Sequence, residues 1–224
     1  LRFNFRDDYR GAYRILLGGL ILGMVTVGIL MPWFIRERYR FIVTRSLFGA
    51  TAFECNPRVG RFYGTAFGAA GLALGIGICA GLLFAFIGRW IALTVGLGPA
   101  AARMVPALSV TLTYCIIFPV VLGYTQARNL NEVFGHTSLG PHRLVSNLSA
   151  VRLTGIYLTN LIGVVLTLGL FIPWAQIRLA RYRLAAMEVE AQGSLEDFVA
   201  GAAAPVQSAT GEEISSLLDV DFGF

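Results

Sequence analysis

Apolar residues fall into four long windows along the chain, and the charged residues lie between these windows. The windows run over residues 15–35, 62–88, 104–127 and 153–177, and none of them contains a charged side chain. A helix needs about 20 apolar residues to cross a bilayer. The pattern therefore predicts an all-α fold, a polytopic integral membrane helical bundle with about four hydrophobic segments.

The first and last windows share one motif, Thr-x-Gly-x-x-x-Pro-Trp, followed in both by an arginine-rich stretch. Self-similarity at corresponding positions indicates an internal repeat. We expect a membrane domain over residues 1–190 with repeats at 1–58, 59–142 and 143–190, and an acidic tail linked through Ala and Pro over residues 191–224. The motif residues are Thr26, Gly28, Pro32, Thr167, Gly169 and Pro173.

These motifs resemble the YjgN family of bacterial inner-membrane proteins. In this family a Thr-Leu-Gly-x-x-x-Pro-Trp segment is followed by Arg-Tyr, and a Thr-Ser-Leu-Gly turn leads to His-Arg-Phe. The turn stands here at residues 137–140, before His142 and Arg143, whereas Leu144 replaces the phenylalanine and Val27 the first leucine. The resemblance covers about residues 1–190. It implies a bacterial cytoplasmic-membrane location and no established chemistry.

The distribution of arginine leaves two topologies open. If all four windows cross fully, the 18 arginines divide nine and nine between the two sides, without the usual excess on the cytoplasmic side. If the first and last windows are re-entrant, all arginines except Arg89 and Arg103 share one side. Four full crossings, with kinks at proline, remain slightly preferred, because a return leg would place Arg36 partway through lipid.

Composition excludes several classes of protein. The chain is 56% hydrophobic and 14% charged, with a mean hydropathy of +0.68, and it contains no lysine. A disordered chain, a disulfide-rich secreted domain and a nucleic-acid binder do not have this composition, and a Schiff-base or P-loop lysine is impossible. Residues 1–183 carry 18 arginines against five acids, and residues 184–224 carry eight acids and no base.

Candidate chemistry inside the windows is sparse. None of the windows contains an acidic residue or a histidine, which disfavours an ion-coupled transporter. Asn160 is expected to form an interhelical hydrogen bond. Glu132, His136 and Ser138 nominally resemble a hydrolase set but lack a nucleophile elbow. We therefore predict no catalytic residue, no cofactor and no metal site.

Three groups of residues are candidates for contacts. Five glycines of the second window share one helix face and suit close helix packing within the chain or against a partner. Arginines and tryptophans at the window edges suit anionic lipid head groups. An apolar stripe in the tail suits docking to a partner. The glycines are Gly60, Gly64, Gly68, Gly71 and Gly75; the interface residues are Arg36, Arg38, Arg40, Trp33, Trp174, Arg178 and Arg181; the stripe is Ile214, Leu217 and Leu218.

The preferred interpretation is a non-enzymatic subunit, scaffold or accessory factor of a membrane complex. We expect it in the bacterial inner membrane as a multi-pass protein, with most loops and the tail in the cytoplasm and with anionic lipids and a protein partner as contacts. The alternative is a transporter, channel or lipid-handling protein in which the Thr-Gly-Pro-Trp segments line the edge of a cavity. An intramembrane enzyme ranks third. Because the chain begins with Leu1, we expect its true N-terminus to be missing or processed.

Overall fold

The structure, a computed structural model, describes residues 3–6, 8–49, 51–96 and 98–192. Helices dominate this part of the chain, and a small antiparallel sheet accompanies them. The elements in chain order are β1 (Phe3–Phe5), α1 (Tyr9–Val25), α2 (Met31–Arg45), β2 (Ser46–Phe48), β3 (Thr51–Cys55), α3 (Val59–Val95), α4 (Pro99–Gly135), β4 (Thr137–Leu139), β5 (His142–Ser146), α5 (Ala150–Leu166), α6 (Ile172–Ala185) and β6 (Met187–Glu190).

The six strands form one sheet in the order of the chain, and every neighbouring pair is antiparallel. The elements form three units, each with a strand, two helices and a strand that pairs with the first. Tight hairpins join β2 to β3 and β4 to β5. Each helix pair therefore leaves the sheet and returns to it.

The prediction of an all-α fold is wrong, because the chain also forms this six-stranded antiparallel sheet. The strands are only three to five residues long, so they cannot produce a sustained alternating pattern in the sequence. Their hydrogen bonds depend on strands that lie beyond the two intervening helices or in a neighbouring unit. When the units are defined by their strand pairs, the second unit begins at β3 and the third at β5. The common descent of the units from one hairpin stays a prediction.

The first window folds back on itself and does not run straight. The backbone N–H of Arg6, before α1, donates to the carbonyl oxygen of Arg45, at the end of α2, at 2.9 Å. Asp8 caps α1 and pairs with the Arg45 guanidinium, which reinforces the closure. A single complete crossing by this window is incompatible with these contacts. The preferred prediction of four full crossings is therefore wrong here, and the window is a helical hairpin.

The last window closes in the same way. Asn147, before α5, donates its backbone N–H to the carbonyl oxygen of Ala186, after α6, at 2.9 Å. Tyr182 of α6 adds a second link, because its hydroxyl accepts the Ser149 N–H at 3.0 Å. Both ends of this helix pair are thus held at the sheet.

The shared motif forms the turn of each short hairpin. In the first hairpin, Val27 and Gly28 have positive φ angles of 51° and 84°, and the Gly28 N–H donates to the Gly23 carbonyl at 2.7 Å. This 6→1 bond is the hydrogen bond that closes a helix C-terminus in the Schellman motif. The Thr26 hydroxyl donates to the Leu22 carbonyl at 2.6 Å, and Pro32 lies in the first turn of α2, where a missing N–H costs no helical hydrogen bond.

The last hairpin repeats this geometry at equivalent positions. Leu168 and Gly169 have φ angles of 51° and 96°, and the Gly169 N–H donates to the Val164 carbonyl at 2.8 Å. The Thr167 hydroxyl donates to Gly163 and accepts the N–H of Phe171 at 3.0 Å. The threonine and glycine of the motif are therefore explained by the backbone of the turn.

The middle hairpin is much longer than the other two. Helices α3 and α4 have 37 residues each, about 55 Å at 1.5 Å per residue, whereas α1 and α5 have 17 residues, or about 25 Å. In the described residues, α3 and residues 103–135 of α4 are long and apolar enough to cross a membrane by length and composition. Their most apolar stretches are 0% and 17% buried in the structure, unlike the core helix of a water-soluble domain.

Two small cores lie at the sheet end of the helices. One contains Cys55, Phe62 and Val133 and joins β3 to the base of α3 and α4. The other contains Ala127, Leu148 and Leu153 and joins α4 to α5. Beyond these cores, large apolar side chains cover the outer surface of the helices.

Candidate functional site

A groove of about 320 Å³ lies between α2 and the sheet-proximal halves of α3 and α4. Its volume is at the lower end of the range of small-molecule pockets, about 300–1,000 Å³. The groove starts at the turn of the first hairpin and extends along α2 toward the sheet. Its lining residues are Gly28, Met31, Pro32, Ile35, Arg38, Tyr39, Phe62, Thr65, Ala66, Thr125, Gln126 and Asn129.

The end of the groove nearest the hairpin turn is apolar. Gly28, Met31 and Pro32 form it, and Ile35 and Phe62 continue it toward the sheet. Pro32 and Ile35 lie on one side of α2 at helical spacing, and Gly28 of the preceding turn lines the same wall of the cavity.

The end nearest the sheet is polar and positively charged. Arg38 is exposed, and its guanidinium carbon lies 5.6 Å from the centre of the Tyr39 ring. Within the described ranges, Arg38 has no carboxylate within ion-pair distance. Gln126 and Asn129 of α4 lie at the same end, and the Gln126 side-chain oxygen accepts a hydrogen bond from Arg183 at 3.3 Å.

Neighbouring helix contacts explain why the cavity lies at α2. Gly123 of α4 faces the backbone of Thr154 in α5 so closely that an added Cβ would lie 2.6 Å from the Thr154 nitrogen. These two helices therefore leave no space between them. At the other side of the middle hairpin, α2 stands away from α3 and α4 along the groove.

The seven predicted interface residues occupy different environments. Arg36 is largely buried: its side chain is 12% exposed, and its guanidinium donates to the Pro57 carbonyl at 3.0 Å and to Asn56 at 3.1 Å and pairs with Glu37. These contacts tie α2 to the start of α3, and a head-group role for Arg36 stays a prediction. The side chains of Trp33, Arg38, Arg40, Trp174, Arg178 and Arg181 are exposed.

The glycine face of α3 packs within the chain at only one predicted position. An added Cβ at Gly68 would collide with the hydroxyl of Tyr124. At the other four glycines an added Cβ would meet nothing within 4 Å, so intramolecular packing does not account for them. These are Gly60, Gly64, Gly71 and Gly75.

A polar network connects the last hairpin. Asn160 is buried and donates from its amide to the Ala175 carbonyl at 3.2 Å, which confirms the predicted interhelical hydrogen bond. Arg178 donates to the Thr159 hydroxyl at 2.7 Å and to the Asn160 side-chain oxygen at 3.2 Å. Arg178 thus stabilises the hairpin, although it lies partly exposed.

The nominal hydrolase set is not assembled for catalysis. His136 Nδ1 lies 2.9 Å from the carbonyl oxygen of Glu132 and 3.3 Å from its carboxylate. Ser138 lines the same sheet-side cavity as His136, but within the described ranges no hydrogen bond joins the two side chains. Nor do the described residues contain a cluster of three or more histidine, cysteine or acidic side chains that could hold a metal.

Cys55 is buried beside the same cavity. Desolvation raises the pKa of its thiol above the ordinary value, although the hydrogen bond with Thr137 and the charges of Arg36 and Arg40 oppose this shift. A raised pKa keeps the thiol protonated and weakly nucleophilic at neutral pH.

A family model described as "Bacterial protein of unknown function (DUF898)" matches residues 1–217. The chain belongs to the DUF898 family. YjgN is a name of this family, so the resemblance carried by the hairpin motifs is confirmed. The DUF898 match also extends beyond residue 190 into most of the acidic tail, which the motif resemblance left outside.

No curated protein and no solved structure matches the DUF898 chain. Its groove is therefore interpreted from its own residues. The tail stripe at Ile214, Leu217 and Leu218 lies outside the described residues.

Sequence reasoning named Arg38 but missed Gln126 and Asn129. These two residues lie on α4, about ninety positions after Arg38, and only the packing of α2 against the middle hairpin brings them to one cavity. Gln126 and Asn129 are three positions apart at the end of the third window, so both lie on one side of α4. This spacing is the one feature of the sequence that indicates a shared polar surface.

Proposed function

We propose that this chain is a bacterial inner-membrane protein that binds an anionic lipid in the α2 groove, as part of lipid handling. The observation that carries the proposal is the polarity of the groove, which is apolar at the hairpin turn and cationic at Arg38. An amphiphile has the same order of parts: an acyl chain, then a charged head group. Planar guanidinium groups suit phosphate oxygens.

The proposed orientation in the membrane follows from the lengths of the hairpins. Helices α3 and α4 cross the bilayer, and the two short hairpins enter it from the sheet side without crossing. From Ile15 to the turn, the first hairpin advances about 16 Å, about half of the 30 Å hydrocarbon core. This arrangement places all arginines except Arg89 and Arg103 on the sheet side, which agrees with a cytoplasmic sheet.

In this orientation the groove extends from the middle of the bilayer to the cytoplasmic head groups. Its apolar end at Met31 is at the depth of acyl chains, and Arg38 is at the level of phosphates. Uncharged windows in α3 and α4 disfavour proton or ion coupling, because such transport usually needs an ionisable residue at depth. Binding or moving a lipid does not need one.

Replacing Arg38 tests the proposal. We expect the Arg38→Gln protein, purified in a mild detergent, to bind the anionic phospholipid of the α2 groove about tenfold more weakly than the wild type, so that fewer lipid molecules remain on each protein, because a charge-assisted hydrogen bond to phosphate is lost. Lipids are measured by mass spectrometry of the intact complex. Ile35→Trp, which fills the apolar part of the groove, should reduce retention as well.

Arg152→Gln is the matched control, because Arg152 is also an exposed arginine near the sheet end of a helix but does not line the groove. Equal lipid retention by the wild type, Arg38→Gln and Ile35→Trp would refute lipid binding at this groove.

The second candidate function is a subunit or scaffold of a membrane complex. It is favoured by the open face of α3 at Gly71 and Gly75, where another helix could approach the backbone closely. Under this hypothesis, native purification recovers a stoichiometric partner, and deletion of residues 193–224 abolishes the recovery. Unchanged recovery after the deletion would remove the tail from the hypothesis, and the absence of any partner would reject the hypothesis itself.

A further inference from the structure

A second cavity, of about 630 Å³, lies at the sheet-proximal end of α3 and α4. Arg61 of α3 and Arg128 of α4 line it, and Gly60 and Gly64 form part of its wall. It shares Thr65 with the α2 groove, but it does not include Arg38. The two cavities therefore lie on neighbouring faces of α3.

The two arginines of this cavity have no acidic partner. In the part of the chain that the structure describes, neither Arg61 nor Arg128 forms an ion pair, and neither guanidinium donates a hydrogen bond to the protein. Arg128 lies over the Tyr124 ring, with its guanidinium carbon 5.3 Å from the ring centre. This contact orients the side chain and leaves its N–H groups available.

Other polar groups of the cavity are already engaged. The Glu132 carboxylate accepts the backbone N–H of Arg58 at 3.0 Å and lies 3.3 Å from His136 Nδ1. The Asn131 amide donates to the Leu148 carbonyl and accepts hydrogen bonds from Ser146 and Leu148. The groups left to bind a ligand are therefore the two guanidiniums, which favour an anion.

The position of the arginines favours a phosphate group. Arg61 immediately precedes the apolar window of α3, and Arg128 immediately follows that of α4, so both mark the same end of the two apolar helices. In the proposed orientation this end is at the level of the cytoplasmic head groups. Guanidinium groups bind phosphate oxygens through paired N–H donors.

We infer that Arg61 and Arg128 form a phosphate-binding site, separate from the α2 groove. The phosphate belongs either to a phospholipid head group or to a soluble phosphate. Binding of a lipid head group depends on the proposed membrane location, whereas binding of a soluble phosphate does not. Gly60 and Gly64 keep the site open, since an added Cβ at either position would meet no atom within 4 Å.

The test uses the full chain in detergent, with two probes measured by mass spectrometry of the intact protein: phosphatidylglycerol and inorganic phosphate. We expect the Arg61→Gln/Arg128→Gln protein to bind the recognised probe about tenfold more weakly than the wild type. Phosphatidylcholine is the zwitterionic comparison. Retention of phosphatidylglycerol that is unaffected by inorganic phosphate identifies a lipid, and displacement by inorganic phosphate identifies a soluble ligand.

Gly64→Leu provides a steric test that retains both charges. Because an added Cβ at Gly64 meets no protein atom within 4 Å and Gly64 lines the cavity, we expect leucine there to occupy space in the cavity and to reduce binding without lowering thermal stability. Arg152→Gln is the charge control and Arg38→Gln the groove control. Arg38→Gln should leave this site occupied, so failure of this site and failure of the proposed groove are distinguishable. Undiminished binding of both probes in the double variant and in Gly64→Leu would overturn the inference.

Discussion

Gly123→Ala should lower the free energy of unfolding by about 1–3 kcal/mol, the usual cost of overpacking. The added methyl group would lie 2.6 Å from the Thr154 nitrogen and 2.8 Å from its Cα. These are backbone atoms, so no side-chain rotation can relieve the contact, and α4 must move away from α5. The free energy of unfolding is measured in mixed detergent micelles, with the helical circular dichroism signal as the probe of unfolding.

Gly155→Ala is the matched control for this prediction. Gly155 lies in α5, and an added Cβ there meets nothing within 4 Å. Replacing glycine by alanine in a helix favours folding by up to about 1 kcal/mol, so this variant should be as stable as the wild type or more stable. Equal destabilisation of the two variants would show that the close α4–α5 contact is not present.

Single-cysteine labelling should place Arg6→Cys and Arg45→Cys on the same side of the membrane. The two residues are joined by a backbone hydrogen bond, so a bilayer cannot separate them. In a background without the three native cysteines, both variants should react with an impermeant maleimide only after the inner membrane is opened. A cysteine at Gly98, beyond the long helices, should react in intact cells once the outer membrane is made permeable.

The turns of the short hairpins provide the decisive positions. Val27 and Leu168 are 91% and 95% exposed in the structure, so the protein does not cover them. We expect cysteines at these positions to resist the impermeant reagent from both sides and to react fully in denaturing detergent, because lipid alone covers them. Rapid labelling of both turns from either side without detergent would contradict the proposed insertion of the short hairpins.

The hairpin turns were within reach of sequence reasoning, whereas the sheet was not. Each turn needs positive φ angles at two adjacent residues, 27–28 in the first hairpin and 168–169 in the last. This requirement is local, and the repeated Thr-x-Gly-x-x-x-Pro pattern indicates it in the sequence. The strands are too short to carry a pattern, and their pairing partners are distant in the sequence. The charge distribution also favoured two re-entrant segments, but the expected cost of Arg36 in lipid argued against them.

The structure removes that objection through particular contacts of Arg36. Its guanidinium is bound by the Pro57 carbonyl and by Asn56, in the loop that follows β3, and it pairs with Glu37. Hydrogen bonds and an ion pair of this kind offset the desolvation cost that an isolated buried charge would incur. Because these partners lie about twenty residues away, the sequence alone could not distinguish Arg36 from Arg38, which faces the groove.

The groove and the arginine cavity were likewise beyond sequence reasoning, since each joins residues of distant windows. Gly64 illustrates this: the glycine repeat suggested a packing face, whereas the structure shows open space beside Gly64 and an arginine-lined cavity. Regular small residues along a helix indicate that another helix or a ligand approaches its backbone. The tertiary structure determines which of the two the available space admits.

The pairing of strands in chain order has a consequence for biogenesis. Each unit contains both strands of one pair, so this pairing needs no later part of the chain and can form during synthesis. In the proposed orientation, translocation machinery has to export a single short connection, the one between α3 and α4. The flanking pairs could enter the lipid from the ribosome's side of the membrane after their strands have formed.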